Sequence, residues 1–406
     1  MNLNIDSTLR TLIVGAGMGG LRTAESLRRY KYPGHIHILG DEWHMPYNRP
    51  PLSKSLLAQD QELAQVSFPI KSGDLNTEFT LGDGVRQLSM EQKSVTLQSG
   101  KKIEFDFLVA ATGLRSKKLV FPNNLQSGRF ALRTFDDAKA IRQAVGSGKD
   151  VVILGSGFIG LEVAATLKGL GCRVKIVAME DIPLGLILGK SFGEEIRRRH
   201  ETKGVEFYLN DGVTDLVGNT AITHVRLVDG QILACDIFIE AIGSAANIEW
   251  LEGNELDLSD GLLTDSSLHA VKSNGTSVLN LFGVGDIARF PNIRFELPPR
   301  RIEHWNIPLE SSRRTAREIV RQVVPGSIEG FESEDGFNPL PTFWSDQFEF
   351  SILSFGEPLL ADEIRLVEGN LGEEFIFAYL REGSLVGVAG IGMKSKINEM
   401  RKDIIK

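Results

Sequence analysis

Short apolar runs alternate with stretches of helical spacing through the first three quarters of the chain. Arg10–Val14 and His35–Leu39 read as strands on either side of Met18–Tyr30, whose apolar residues recur at helical intervals, and Pro33-Gly34 punctuates between them. The order repeats with an apolar strand at Val151–Leu154, a helical stretch and a second strand at Cys172–Val177. Further strands are predicted over Phe105–Ala111, Ile237–Gly243 and Leu279–Gly283, and a helix over Asn306–Val323. Beyond Val324-Pro325-Gly326, which reads as a boundary, strand-like runs (Phe348–Leu353, Phe375–Leu380, Leu385–Ala389) alternate with turns to Lys406. Near-continuous apolar strands joined through helices predict an α/β protein built on parallel sheets, and the remainder reads as a small α+β domain.

What joins strand to helix is the same in both copies. Gly15-Ala-Gly17-Met18-Gly19-Gly20 follows the first strand, and Gly155-Ser-Gly157-Phe158-Ile159-Gly160 follows its counterpart 140 positions later. The first glycine permits the tight turn, the second lets a pyrophosphate approach the backbone, and the third lets helix and strand pack closely. The helix N-terminus then offers free N–H groups to the anion. Two turns in register predict two Rossmann-like dinucleotide-binding domains, the second inserted in the first. Residues 1–115 and 245–325 form the first domain, 116–244 the second, and 326–406 the terminal α+β domain. Asp41, 26 positions after Gly15, falls where an acidic side chain accepts the ribose hydroxyls, with Glu42 as the neighbouring candidate. Gly285 and Asp286 follow the strand at Leu279–Gly283 and put a carboxylate at the sheet's ligand-binding edge. Gly243 ends the corresponding strand of the second unit.

Composition narrows the chemistry. The 406 residues suffice for two or three domains, and 42% hydrophobic with 24% charged residues is the balance of a soluble globular protein. The formal net charge of −8 argues against nucleic acid as the main partner. No apolar run reaches membrane-spanning length, and Met1–Leu9 lacks a basic-then-apolar signal pattern, so a cytoplasmic protein is expected. The only two cysteines, Cys172 and Cys235, lie far apart in apolar stretches and read as small core residues. No dithiol centre and no cysteine-bound metal or cluster spacing is present, so redox chemistry must belong to a bound organic cofactor.

With both glycine turns, Arg49-Pro-Pro-Leu-Ser-Lys54, Ala111-Thr112-Gly113, Leu161-Glu162-Val-Ala-Ala165, Gly283-Val-Gly285-Asp286, Arg301-Ile-Glu-His-Trp305-Asn306 and Phe343-Trp-Ser-Asp-Gln347 in one order, the chain resembles the FAD-dependent ferredoxin reductases. These serve multicomponent Rieske oxygenases and bacterial haem monooxygenases, and share the pyridine nucleotide-disulfide oxidoreductase fold without the redox disulfide. The resemblance implies FAD in the first unit, with Asp41 on the ribose, Arg49 and Lys54 near the flavin, Val85 by the adenine and Arg133 by the phosphates. It further implies Asp286 on the ribityl chain and Trp305 beside the isoalloxazine. The second unit would hold NADH, or NADPH, and Glu162 would pair with Lys54 at the nicotinamide–flavin contact. The implied acceptor is a two-iron, two-sulfur ferredoxin of Rieske or plant/vertebrate type, and the implied state is a monomer or weak homodimer.

One position departs from the pattern. The ribose-binding acid of NADH-preferring relatives falls at 178, which is Ala178 here, followed by Met179, Glu180 and Asp181. No nearby arginine awaits a 2′-phosphate, so the expectation is NADH with reduced discrimination, where either Glu180 reaches back as the substitute acid or affinity for the adenosine end is weak. Docking of an acidic ferredoxin could use Arg313, Arg314, Arg317, Lys394, Lys396, Arg401 and Lys402, any of which could equally be a solvated helix face. Two other readings stay open at this point: a flavin-dependent oxidase or small-acceptor reductase, and a redox-sensing protein of the apoptosis-inducing-factor kind.

Overall fold

A computed structural model describes residues 8–70, 75–123, 125–324 and 336–404. The chain divides into two compact units: one comprises Met1–Asn48, Ser67–Leu114 and Ala246–Pro341, the other Arg49–Val66, Arg115–Ala245 and Thr342–Lys406. This grouping differs from a division read along the sequence in two places. Arg49–Val66 packs with the second unit, and so does the terminal sheet from Thr342 onward. The boundary expected at Pro325-Gly326 lies outside the described residues.

In the first unit a six-stranded sheet runs in the order His269–Val271, Ser277–Gly283, Phe107–Ala110, Arg10–Val14, His35–Leu39, Glu78–Thr80. Every pairing is parallel except that of the first two strands. Successive side chains point to opposite faces, and both faces are covered. Ile13 and Val109 pack under the helices Met18–Arg29 and Asn306–Val323, with Leu21, Leu27, Ile319 and Val320. Leu12, Val14 and Leu108 face Val95, Leu97, Trp250 and Leu251 on the other side. Burial on both faces is why these strands read as unbroken apolar runs.

The second unit repeats the plan. Five parallel strands run in the order Glu206–Leu209, Arg173–Ala178, Asp150–Leu154, Ile237–Glu240, Arg129–Ala131. Val151 and Ile153 enter one core, Val152 and Leu154 the other. Each unit also carries a three-stranded antiparallel sheet, Val85–Ser89/Ser94–Leu97/Lys102–Glu104 in the first and Val213–Gly218/Ile222–Leu227/Ile232–Ala234 in the second. The terminal region is a five-stranded antiparallel sheet with the helix Lys394–Met400. Its Phe350, Ile352, Phe375, Phe377 and Tyr379 share one core with Val151, Ile153, Leu161 and Phe192, so this sheet completes the second unit. Among the described residues no helix is long and apolar enough to cross a membrane.

Candidate functional site

The glycine turns show which of their glycines the protein itself requires. Gly15 and Gly155 sit at φ +121° and +113°, and an added Cβ would lie 2.1 Å from the Ala111 carbonyl oxygen and 2.3 Å from that of Ala241. At Gly20 and Gly160 a Cβ would lie 2.0 and 2.3 Å from the carbonyl oxygens of Gly15 and Gly155. Gly17 and Gly157 are different: their backbone is ordinary extended chain, and a Cβ there would meet nothing within 4 Å. Among the described residues no contact calls for glycine at the middle position, which leaves the backbone there open to a close approach from outside. A pyrophosphate resting on the backbone fits. The helices that follow, Met18–Arg29 and Phe158–Gly169, begin without a side-chain cap. Helix Phe135–Ala144, by contrast, closes its first turn with a complete Thr134/Asp137 capping box. The free N–H groups of the uncapped pair, including those at Met18, Gly19, Phe158 and Ile159, are the ones an anion would satisfy. Ile159 is exposed, whereas the Phe158 ring leans on Phe343 at 4.6 Å.

Around the first turn the ends of three strands converge. The Ala111 N–H donates to the Val14 carbonyl at 2.7 Å, and the Val284 N–H to that of Ala110 at 2.9 Å. Thr112 is latched to Asn247: its hydroxyl donates to the Asn247 carbonyl at 2.7 Å, and the Asn247 amide and N–H return bonds to Thr112 and Gly113 at 3.0 Å each. The Gly285 N–H donates to the buried Ser311 hydroxyl at 3.0 Å, fixing the turn that carries half-buried Asp286. Val85 opens the antiparallel sheet, opposite Leu97. Trp305, at the start of helix Asn306–Val323, is 37% exposed and donates from Nε1 to Asn48 Oδ1 at 3.2 Å. Asp41 is exposed; Glu42 receives the Tyr47 hydroxyl at 2.5 Å, which leaves Asp41 the freer carboxylate. Beside Trp305, burial pushes the His304 imidazole down to about 4.

Arg49, Lys54 and Arg133, grouped with the first nucleotide by resemblance, belong to the second unit. Arg49 donates to the Arg133 carbonyl at 2.6 Å, and the Arg133 N–H donates to Asp137 at 3.0 Å. Lys54 Nζ meets Glu162 Oε2 at 2.6 Å, the pairing that the resemblance implies. Only 3% of Glu162 is exposed, and its charge is met on every side. Ser53 donates to Oε2 at 2.5 Å and Ser345 to Oε1 at 2.7 Å. Thr166, one turn along the same helix, donates to the Ser53 carbonyl at 2.7 Å and ties the proline-rich loop to the helix. Ser53 lies inside the Arg49–Lys54 motif, and Ser345 and Gln347 inside Phe343–Gln347, but none carries a role by sequence, and His200 gives no signal at all. The pairing of Lys54 with a buried acid is what could have found them, because a buried carboxylate demands further donors.

At the second strand's end, Gly15 and Gly155 donate to the Leu39 and Val177 carbonyls, both at 2.8 Å, so that by position Gly40 in the first unit corresponds to Ala178 in the second, and Asp41 to Met179. Ala178 is buried, while Met179, Glu180 and Asp181 are exposed. Glu180 is held through its backbone, whose carbonyl accepts from Asn210 at 3.2 Å. Gly243 takes φ +94° with open space beside it. Both cysteines are free and buried; burial raises the Cys172 thiol and pushes Cys235 up to about 12. The basic residues divide. Arg314 meets Glu318 at 2.9 Å, Arg317 binds the Tyr30 hydroxyl at 2.9 Å and Lys396 meets Glu368 at 2.7 Å, whereas Arg313, Lys394 and Lys402 are exposed.

The same plan recurs in known proteins. Residues 9–309 match the pyridine nucleotide-disulphide oxidoreductases. The chain is 30% identical, over 96% of its length and 95% of the relative, to the ferredoxin–NAD(+) reductase component of a 3-phenylpropionate/cinnamic acid dioxygenase from Photorhabdus laumondii. It is also 30% identical to a rubredoxin-NAD(+) reductase of Pseudomonas putida, over 91% of this chain and 93% of the relative. Among solved structures, the ferredoxin reductase for the CYP199A2 system of Rhodopseudomonas palustris aligns with TM-score 0.87 and 29% identity, over 97% of this chain and 93% of that one. The covalent putidaredoxin reductase–putidaredoxin complex aligns with TM-score 0.89 and 26% identity, over 98% and 94%. With twin glycine turns on twin parallel sheets, and a match that runs through both, the chain belongs to the pyridine nucleotide-disulphide oxidoreductase family of enzymes.

Proposed function

We propose that this chain is an FAD-dependent NADH:ferredoxin reductase that supplies electrons to an oxygenase from the cytoplasm. The observation that carries the reading is the pair of middle glycines, Gly17 and Gly157, each facing open space at an uncapped helix start. When bound, a flavin accepts a hydride from reduced nicotinamide and gives up electrons singly, which suits a one-electron iron–sulfur acceptor. In the first unit, the N–H groups from Gly17 to Gly20 bind the FAD pyrophosphate and Asp41 takes the ribose hydroxyls. The Val85 backbone adjoins the adenine, Ala111–Gly113 and Gly285 frame the turn, Asp286 takes the ribityl chain and Trp305 lies beside the ring. In the second unit the N–H groups from Gly157 to Gly160 bind the nicotinamide nucleotide, with Gly243 beside them. Glu162 and Lys54 form the charged pair at its nicotinamide end.

Exposed Glu180 and Asp181 repel the 2′-phosphate of NADPH and favour NADH, while Ala178 offers the ribose nothing. A ferredoxin acceptor is supported by the relatives named as ferredoxin reductases and by the solved complex with putidaredoxin. Two unpaired thiols suit a reducing compartment. The test is anaerobic reduction of FAD-reconstituted protein, followed by cytochrome c reduction with and without a two-iron ferredoxin. NADH should bleach the flavin faster than NADPH, and cytochrome c reduction should depend on the ferredoxin. Protein that stays colourless after reconstitution, or that passes electrons to oxygen at the same rate with or without ferredoxin, overturns the reading.

A further inference from the structure

Glu162 does not end its contacts at Ser345. The Ser345 hydroxyl accepts from Gln347 Nε2 at 3.0 Å, and Gln347 Oε1 lies 2.9 Å from His200 Nε2. Ser345, Gln347 and His200 are each at most 1% exposed. The imidazole is walled by the rings of Phe207, Phe348 and Phe350, and its Nδ1 has no hydrogen-bond partner. A polar chain therefore runs from a helix start, through a strand of the terminal sheet, to a histidine on helix Lys190–Thr202.

Its direction is fixed by elementary donor and acceptor rules. A carboxylate only accepts, so the Ser345 hydroxyl must donate to Glu162 and offer its lone pair to Gln347. The Gln347 amide nitrogen then faces Ser345, and its carbonyl faces His200. His200 must carry its proton on Nε2 and leave Nδ1 bare, which agrees with an Nδ1 that finds nothing to donate to. Burial holds the imidazole down to about 4, so it is neutral at physiological pH. The cations over its aromatic walls, Arg199 over Phe350 and Lys203 over Phe348, are each paired with a carboxylate, Glu195 at 2.7 Å and Glu349 at 3.0 Å. Lys54 is the charged partner at the other end.

We propose that Ser345, Gln347 and His200 are positioning residues for Glu162: a one-way chain of donors, rooted in the apolar core and ending on Oε1, that holds the carboxylate with Oε2 on Lys54. Bonds in such a series polarise one another, and a carboxylate clamped on both oxygens cannot rotate away from the lysine. The kinetic arm of the test rests on the reductase reading of the second unit; the spectroscopic arm does not.

Nitrogen NMR of the histidine-labelled, FAD-loaded protein should show His200 as the Nε2–H tautomer, unchanged across neutral pH. The Nδ1–H tautomer, or a titrating imidazole, overturns the proposal without reference to activity. In single-turnover reduction by NADH, Ser345→Ala should slow flavin reduction about tenfold, the worth of one hydrogen bond, with little change in NADH affinity. Ser345→Thr, which keeps the hydroxyl, should recover most of that rate. A Ser345→Ala enzyme that reduces its flavin at the unmutated rate, or a Ser345→Thr enzyme no better than Ser345→Ala, overturns it. If the unmutated enzyme does not oxidise NADH, the reductase reading fails, and the tautomer alone decides the donor chain. The tautomer is read on the unmutated protein, so a variant that fails to fold leaves that arm intact.

Discussion

The two units share a turn, a strand order and a following helix, yet they differ two places after the third glycine. In the first unit that position is Arg22, half-buried, with Glu25 at 2.6 Å and its guanidinium 4.7 Å over the Phe68 ring. In the second it is Glu162, buried and clamped by Lys54, Ser53 and Ser345. On the reading proposed above, the turn would recognise a phosphate through backbone N–H groups, so it can be duplicated without specifying chemistry. Chemistry is assigned by what the helix carries next. Each helix buries seven of its twelve residues, but the first buries only uncharged ones and keeps its arginine half-exposed, whereas Phe158–Gly169 brings a charge in with them.

Four experiments would break or sharpen that comparison. The largest effect is expected at the first glycines, where Gly15→Ala and Gly155→Ala each set a Cβ against a carbonyl oxygen at a φ that side chains avoid. Each should cost upwards of about 4 kcal/mol in urea unfolding or abolish soluble protein. Gly17→Ala and Gly157→Ala should leave stability within about 0.5 kcal/mol and weaken nucleotide binding about tenfold or more, measured by titration. Equal stability losses at all four positions would refute the assignment of the middle glycines to a ligand.

Acid acts next on a buried histidine in each unit, His304 in the first and His200 in the second. His200 binds its proton only near pH 4 when folded, against about 6.5 when unfolded, so the unfolded chain holds more protons between those values. Its contribution is complete above about pH 6.5 and fades as pH falls toward 4, about 3 kcal/mol in all by that linkage. Unfolding of the second unit measured down that range should lose this slope in His200→Phe.

Lys54→Met should destabilise by about 2–3 kcal/mol, because it strips a buried carboxylate of its cation while two hydroxyls remain. Arg22→Ala, at the matching half-buried site, should cost less, about 1 kcal/mol. Calorimetry of both variants compares the positions directly. The smallest effect concerns the strand end. Ala178→Glu should lower the KM for NADH about tenfold, one charge-assisted hydrogen bond, and raise that for NADPH. No change in either KM would show that the adenosine ribose binds elsewhere.

Much of this was legible in the chain. Strands buried on both faces write unbroken apolar runs, and the glycine turns obey a spacing set by covalent geometry, so Arg10–Val14, His35–Leu39 and helix Asn306–Val323 fall where the pattern puts them. The pairing of Lys54 with Glu162 came from the resemblance and is present. The unit to which Arg49–Val66 belongs is not readable, because helical turns of four or five residues carry too little periodicity and the side they pack on is decided by distant contacts such as Thr166 with Ser53. Nor could His200 be found: a lone histidine on a helix looks the same in sequence whether it meets water or three phenylalanine rings. Three strands of the terminal sheet are legible as apolar runs and Thr342–Gln347 and Glu363–Gly369 are not; the shared core depends on which faces of Phe375 and Phe377 turn inward, and alternation alone does not say against what.

The order of strands along the chain bears on synthesis. The second unit's parallel sheet has all its members by Glu240, the last strand in being Ile237–Glu240. The first unit's sheet, begun at Arg10, waits for Ser277–Gly283 to cover the free edge of Phe107–Ala110. While the ribosome adds that intervening stretch, a greasy strand edge stands open to neighbouring nascent chains. Co-translational crowding should therefore trap this protein through its amino-terminal half, and slower elongation or trigger-type chaperones should raise the soluble yield.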